Sequence, residues 1–237
     1  MALLSVDTLN GEKAGSRSAV EFDQLTACYP ARPLSLPGTD ARISAIAGRF
    51  ALCYGQRLLL RYDGDDARTD LLLHLAGSLH EGNPEASVSL LLVNVRPEDA
   101  ALCSQAVDVP VYAASLDQSP DFSLRQADLL LEQSLRSVEA GKDVILLVDS
   151  LTDLGGLYPI AAQQPGQPSP GFPCPGSLQK AKRLFGAARA TEQAGTLTIL
   201  AAVKEKGLEV FQPMCNCYLH LTGEGGLAED SFLRTAP

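Results

Sequence analysis

Apolar positions follow two alternating patterns along this chain. Runs of strand length stand at 57–62 (RLLLRY), 87–95 (SVSLLLVNV), 109–114 (VPVYAA), 143–150 (DVILLVDS) and 196–203 (TLTILAAV). Helical spacing predicts helices over 67–80, after Pro97, over 122–140 and over 177–193. Continuous apolar runs between helices are what strands covered on both faces require, so the expected fold is α/β, with βα units around a buried, mostly parallel sheet. The stretches MCNCYLHLT and SFLRT predict short strands that finish the sheet, joined by the turn GEGG. Six of the fifteen prolines crowd between Gly155 and Gly176, which predicts a long surface loop. Residues 1–20 are small, polar and aperiodic; a flexible tail is expected there, ahead of a single domain over 21–237.

Composition and charge then remove several classes. With 46% hydrophobic and 20% charged residues over 237 positions, a sizeable core can be buried and wholesale disorder is excluded. Lys plus Arg number 19 against 28 Asp plus Glu, a net charge of −9, so affinity built on phosphate neutralisation has the wrong sign and RNA is disfavoured as a partner. Apolar runs such as 144–148 and 199–203 are far shorter than the roughly 18 residues that cross a membrane, and no basic-then-apolar leader opens the chain. No membrane partner and a cytoplasmic location are expected. Cys28, Cys53, Cys103, Cys174, Cys215 and Cys217 form no CxxC pair and read as reduced thiols packing like small hydrophobes. Cys215 and Cys217 are the one spacing open to a redox or metal contact. His74, His80 and His220 lack ligand spacing, and no metal site is expected.

Nucleotide chemistry has a recognisable frame. A loop after the first core strand offers amides and a Lys to phosphates and a Ser or Thr to Mg²⁺, and a later strand ends in an Asp for the metal. VILLVDS, ending in Asp149 and Ser150, has the form of that later strand. Other stretches extend the match: FDQLTACYP (22–30), RISAIAGRFALCYGQR (42–57), VRPED (95–99), VYAASLD (111–117), GKDVILLVDSLTDL (141–154), LQKAKRLFGAARATEQAGTLTILA (178–201) and CNCYLHL (215–221). From Phe22 to about Phe232 the chain resembles the ATPase core of the Rho transcription termination factors, which are RecA-type hexameric RNA translocases. The resemblance implies a RecA-like, P-loop NTPase-type fold, while function has to be read at the site.

There the residues depart from the family pattern. In place of an Ala/Pro/Lys-rich turn ending in Gly-Lys-Thr stands Tyr62-Asp63-Gly64-Asp65-Asp66-Ala67-Arg68-Thr69. Ala67 replaces the last glycine and Arg68 the lysine; Thr69 is kept. Asp63, Asp65 and Asp66 occupy places where amides should meet phosphate, and a carboxylate–phosphate pair ~5 Å apart repels by ~3 kcal/mol at an effective dielectric of ~20. A planar guanidinium also substitutes poorly for a slender ammonium. A solvated acidic turn opening a helix, whose dipole favours Asp, needs no ligand. The family's catalytic base, a Glu in an Asp-Glu pair before Arg-Pro-Glu, becomes Val95 after Asn94, and valine accepts no proton. Glu98 and Asp99 are the possible substitutes, weighed against capping of the next helix.

Further departures concern RNA. The family's Thr-Arg-Leu becomes Thr152-Asp153-Leu154, the next arginine position is Gly156, and 155–176 holds no Lys or Arg. Phosphate contact at 155–176 therefore lacks counter-charge, and the second RNA loop is shortened to KEKGLE (204–209). The family's oligonucleotide-binding domain and arginine-finger segment, which lie outside this core, are expected to be missing. Lys182, Arg183, Phe185, Gly186 and Arg189 match the family helix and read as an apolar face with a solvated basic stripe. Asp149 reads as a cap or hydrogen-bond acceptor for the loop after it.

The expectation is a Rho-like RecA-fold protein with a degenerate P-loop: a vestigial nucleotide site at Arg68, Thr69 and Asp149, no catalytic residue and no resident cofactor. It would act as an interaction or regulatory protein linked to transcription termination, its partner being another RecA-like subunit, itself or Rho. One alternative is a divergent Rho-type ATPase that holds ATP and Mg²⁺ through Arg68, Thr69 and Asp149. Another is an RNA-binding regulator that uses Lys180, Lys182, Arg183 and Arg189 on one helix face.

Overall fold

The computed structural model describes residues 8–9, 12–13, 20–38, 40–62, 66–161, 178–222 and 226–234. Two short strands, β1 (Thr8–Leu9) and β2 (Glu12–Lys13), pair antiparallel inside the stretch read as a tail. A 3₁₀ turn at Phe22–Gln24 leads into β3 (Ala27–Cys28), α1 (Ala41–Arg49), β4 (Arg57–Tyr62), α2 (Asp66–Gly82), β5 (Ser87–Val95), α3 (Pro97–Ala106) and β6 (Val111–Ser115). There follow α4 (Pro120–Glu139), β7 (Val144–Val148), α5 (Leu151–Ala161), α6 (Gln179–Gly186), β8 (Arg189–Thr191), β9 (Thr196–Val203), α7 (Glu205–Phe211), β10 (Cys217–Leu221) and β11 (Phe232–Leu233).

The main sheet has the order β11-β10-β4-β9-β7-β5-β6. All neighbours from β10 to β6 are parallel; β11 joins β10 antiparallel, and β8 pairs antiparallel with both β9 and β3. Alternate residues of the apolar runs serve opposite faces, as the strand period demands. On β7, Ile145 and Leu147 pack with α1, α2 and α3, whereas Val144, Leu146 and Val148 pack with α4, α5, α6 and α7. The helix–sheet–helix layering predicted from the sequence is what forms.

Two predicted elements differ. The helix expected over 177–193 stops at Gly186, and the chain turns into β8, which hairpins back on β9. Gly195 makes this hairpin possible, since a Cβ there would lie 2.8 Å from Lys142 N and still closer to its carbonyl. Arg189 therefore leaves the helix. The loop expected from Gly155 also begins late, because α5 runs through both glycines to Ala161, anchored by buried Leu151 and Leu154; residues 162–177 lie outside the described residues. Two helices were not anticipated. One, α1, starts where Asp40 accepts from the amides of Arg42 (2.8 Å) and Ile43 (3.4 Å); the other, α7, occupies the shortened KEKGLE stretch.

Candidate functional site

The carboxyl ends of the parallel strands gather the candidate residues. β9 lies between β4 and β7, with Arg61 opposite Val203 and Val148 opposite Ala201, so the turn after β4 and Asp149 after β7 flank the end of β9. In open α/β sheets this edge is where ligands bind. Thr69 sits half-buried in the first turn of α2, and Arg68 stands on the same turn of backbone. Asp63 and Asp65 lie outside the described residues.

Asp149 is fully buried. Its Oδ1 accepts from the amide of Val93 at 2.8 Å, which fastens the end of β7 to the neighbouring β5. The capping role expected of it belongs instead to Ser150, whose Oγ accepts from Asp153 N at 3.0 Å and opens α5. The base position is likewise resolved. Asn94 is exposed with φ +60°, and a register irregularity in the β5–β6 pairing falls between Val93 and Val95. That bulge turns Val95 inward, where it is buried in the core. Glu98 and Asp99 are exposed in the first turn of α3, where no side chain caps; their contribution is to the helix dipole.

Beside this edge lies a cavity of about 480 Å³ lined by Asn94, Thr152, Asp153, Gly156, Leu157, Lys204, Glu205 and Lys206. Of its two lysines, Lys204 is engaged by an anion. Lys204 Nζ lies 2.9 Å from Asp153 Oδ2, and its amide donates to Thr152 Oγ1 at 3.0 Å. Arg61, next to it on β4, reaches Glu205 at 2.7 Å. Gly207 lets α7 come this close, because a Cβ there would stand 2.7 Å from Thr152 Oγ1. Asp153, which takes the place of an arginine in the family pattern, is thus partnered with the lysine kept at the start of the shortened loop.

The basic stripe on α6 is exposed, as expected, and two of its cations are also ion-paired. Lys180 pairs with Asp128, and Arg183 with Glu132 at 2.6 Å, so α6 is clamped on the acidic side of α4; Arg189 sits elsewhere, on β8. Among the described residues no cluster of His, Cys, Asp and Glu could hold a metal. Cys215 and Cys217 pack in the cores on opposite faces of the sheet, and burial pushes their thiols up to about 11 and about 12. His220 Nδ1 lies 2.8 Å from Asp230, and His74 Nδ1 the same distance from the carbonyl of Asp70. No described helix is long and apolar enough to cross a membrane.

The fold is of the RecA-like P-loop NTPase type. The fold is similar to that of an ATPase from the type III secretion system of pathogenic bacteria, with a TM-score of 0.72 at 18% identity over 98% of this chain and 71% of that one. No protein-family model matches the chain. Its sequence relatives include the transcription termination factors Rho of Bacillus subtilis (35% identical over 230 residues), Pseudomonas fluorescens (32% over 213) and Thermotoga maritima (34% over 211). The matches cover 92%, 87% and 87% of this chain, and the chain spans about half the length of these relatives (54%, 51% and 49%). The chain is a homologue of the Rho ATPase core.

Proposed function

We propose that this protein is a Rho-like subunit that neither hydrolyses ATP nor moves RNA, and that it regulates transcription termination by engaging RecA-like subunits, its own copies or a genuine Rho. The observation that carries this reading is Val95, a core side chain at the position where the family's proton acceptor is expected. The Asp153–Lys204 pair supports it, since it neutralises one of the two lysines that line the cavity. The net charge of −9 points the same way.

The test has two arms. In calorimetry with Mg-ATP, no saturable heat or turnover is expected. In native mass spectrometry after mixing with the Bacillus subtilis Rho, mixed or homomeric assemblies are expected. Micromolar Mg-ATP binding with phosphate release, or a strict monomer that ignores Rho, refutes the reading. One observation favours a second: Thr69 in the first turn of α2 and buried Asp149 both stay at the carboxyl edge of the sheet, as a divergent ATPase holding Mg-ATP with Arg68 requires. Turnover in the first arm selects it.

A further inference from the structure

The opposite edge of the sheet carries a second polar cavity, of about 230 Å³, lined by Ala27, Cys28, Tyr29, Pro30, Gly55, Arg57, Arg189 and Asn216. Among the described residues no carboxylate lines it. Arg57 opens β4 and Arg189 opens β8, and Gly55 brings the two strands together: with φ +84° its turn lies so close to Ala190 that any Cβ would collide. Arg57 is fixed before any ligand arrives. Its Nε donates to Met214 O at 2.7 Å and its Nη1 to Ala188 O at 2.8 Å, leaving Nη2 available. Asn216 Oδ1 accepts from Arg57 N at 3.0 Å, which directs the Asn216 amide group as a donor. Arg189 Nε donates to Ala187 O at 3.3 Å, and its guanidinium lies 4.5 Å from the centre of the Phe22 ring.

Among the described residues neither guanidinium has a carboxylate partner, although acidic residues outnumber basic ones in the chain. Burial, and after it the charge of Arg189, pull the Arg57 guanidinium below its ordinary range, so the site is short of negative charge. Planar guanidinium forks match the oxygens of tetrahedral oxyanions.

We propose that the cavity between Arg57, Arg189 and Asn216 binds a phosphate oxyanion, either inorganic phosphate or the phosphate of a small phosphomonoester. Exposed Tyr29 borders this cavity and an adjoining one of about 410 Å³, which also contains Tyr54 and Arg32 and could take the remainder of an ester.

The full chain is titrated with inorganic phosphate and, separately, with 5′-AMP, and alkylation of Cys28 is followed by peptide mass spectrometry. Cys28 lines the cavity and is exposed, whereas Cys53, Cys103, Cys215 and Cys217 are buried. Saturable binding is expected, weakened at least tenfold in Arg57→Lys and Arg189→Ala, with Cys28 alkylation slowed several-fold at saturation. Tighter binding of 5′-AMP than of phosphate identifies an ester ligand; equal binding identifies phosphate itself. No saturable binding, unchanged affinity in a folded variant, or binding that leaves the Cys28 rate unaltered overturns the proposal. The Cys28 measurement needs no variant, so it decides the matter even where a substitution prevents folding.

Discussion

Gly55→Ala perturbs the point where the turn before β4 meets β8. The residue has φ +84°, and a left-handed backbone costs an alanine roughly 1–2 kcal/mol. The new Cβ would lie 2.6 Å from Ala190 Cβ and 2.7 Å from its Cα, against the 3.4–4 Å of ordinary contact. Because β8 is held on both sides, by β3 and by β9, it yields only by straining those pairings. Loss of the 2.8 Å bond from Gly55 N to Thr198 Oγ1 adds about 1 kcal/mol. With overpacking of about 1–3 kcal/mol, the expected loss is roughly 3–6 kcal/mol, a large part of the 5–15 kcal/mol typical of a folded domain. Urea unfolding followed by circular dichroism measures it. Gly77→Ala is the control: nothing lies within 4 Å of its Cβ inside α2, and a gain of about 0.5–1 kcal/mol is expected. A Gly55→Ala protein within 1 kcal/mol of wild type would falsify the close approach on which the Arg57–Arg189 cavity depends.

Restoring a carboxylate with Val95→Glu should give no ATP turnover and should destabilise by about 2 kcal/mol or more, since the side chain is buried; a phosphate-release assay and a thermal melt check both outcomes. Asp40→Ala should cost about 1 kcal/mol through the lost helix cap. Its hydrogen bonds from Arg42 hold the Asp40 carboxyl below its ordinary range, so this contribution is present above about pH 4 and fades as the pH falls through the depressed value. The urea midpoint difference between wild type and Asp40→Ala should therefore shrink on strong acidification. At pH 8, a thiol reagent should modify Cys28 quickly and leave Cys215 and Cys217 intact until the protein unfolds, because burial keeps both protonated far above that pH. Peptide mapping reads the order.

Strands β5, β7 and β9 were legible because both of their faces are buried, which leaves an unbroken apolar run. The helix predicted over 177–193 ran too far for a related reason: Ala187, Ala188, Arg189 and Gln193 are good helix formers, and only pairing with β3 and β9 makes a strand there. In α5, Gly155 and Gly156 argued for a loop, yet burial of Leu151, Thr152 and Leu154 outweighs their helix penalty. At the candidate site, the lack of a carboxylate at 94 and 95 could be read from Asn94-Val95 alone. What becomes of the surrounding charges could not: Asp153 with Lys204, Lys180 with Asp128 and Arg183 with Glu132 are joined only by the fold. The Arg57–Arg189 cavity was invisible for the same reason.

The position of β4 has a consequence for biosynthesis. Made early, it acquires its two sheet neighbours, β9 and β10, only from residues 196–221. Until those residues leave the ribosome, a strand carrying Leu58, Leu59 and Leu60 keeps both edges open to any passing polypeptide. Strand β4 cannot complete its pairing until residues 196–221 are made, and it then closes over long sequence distances, which is slow.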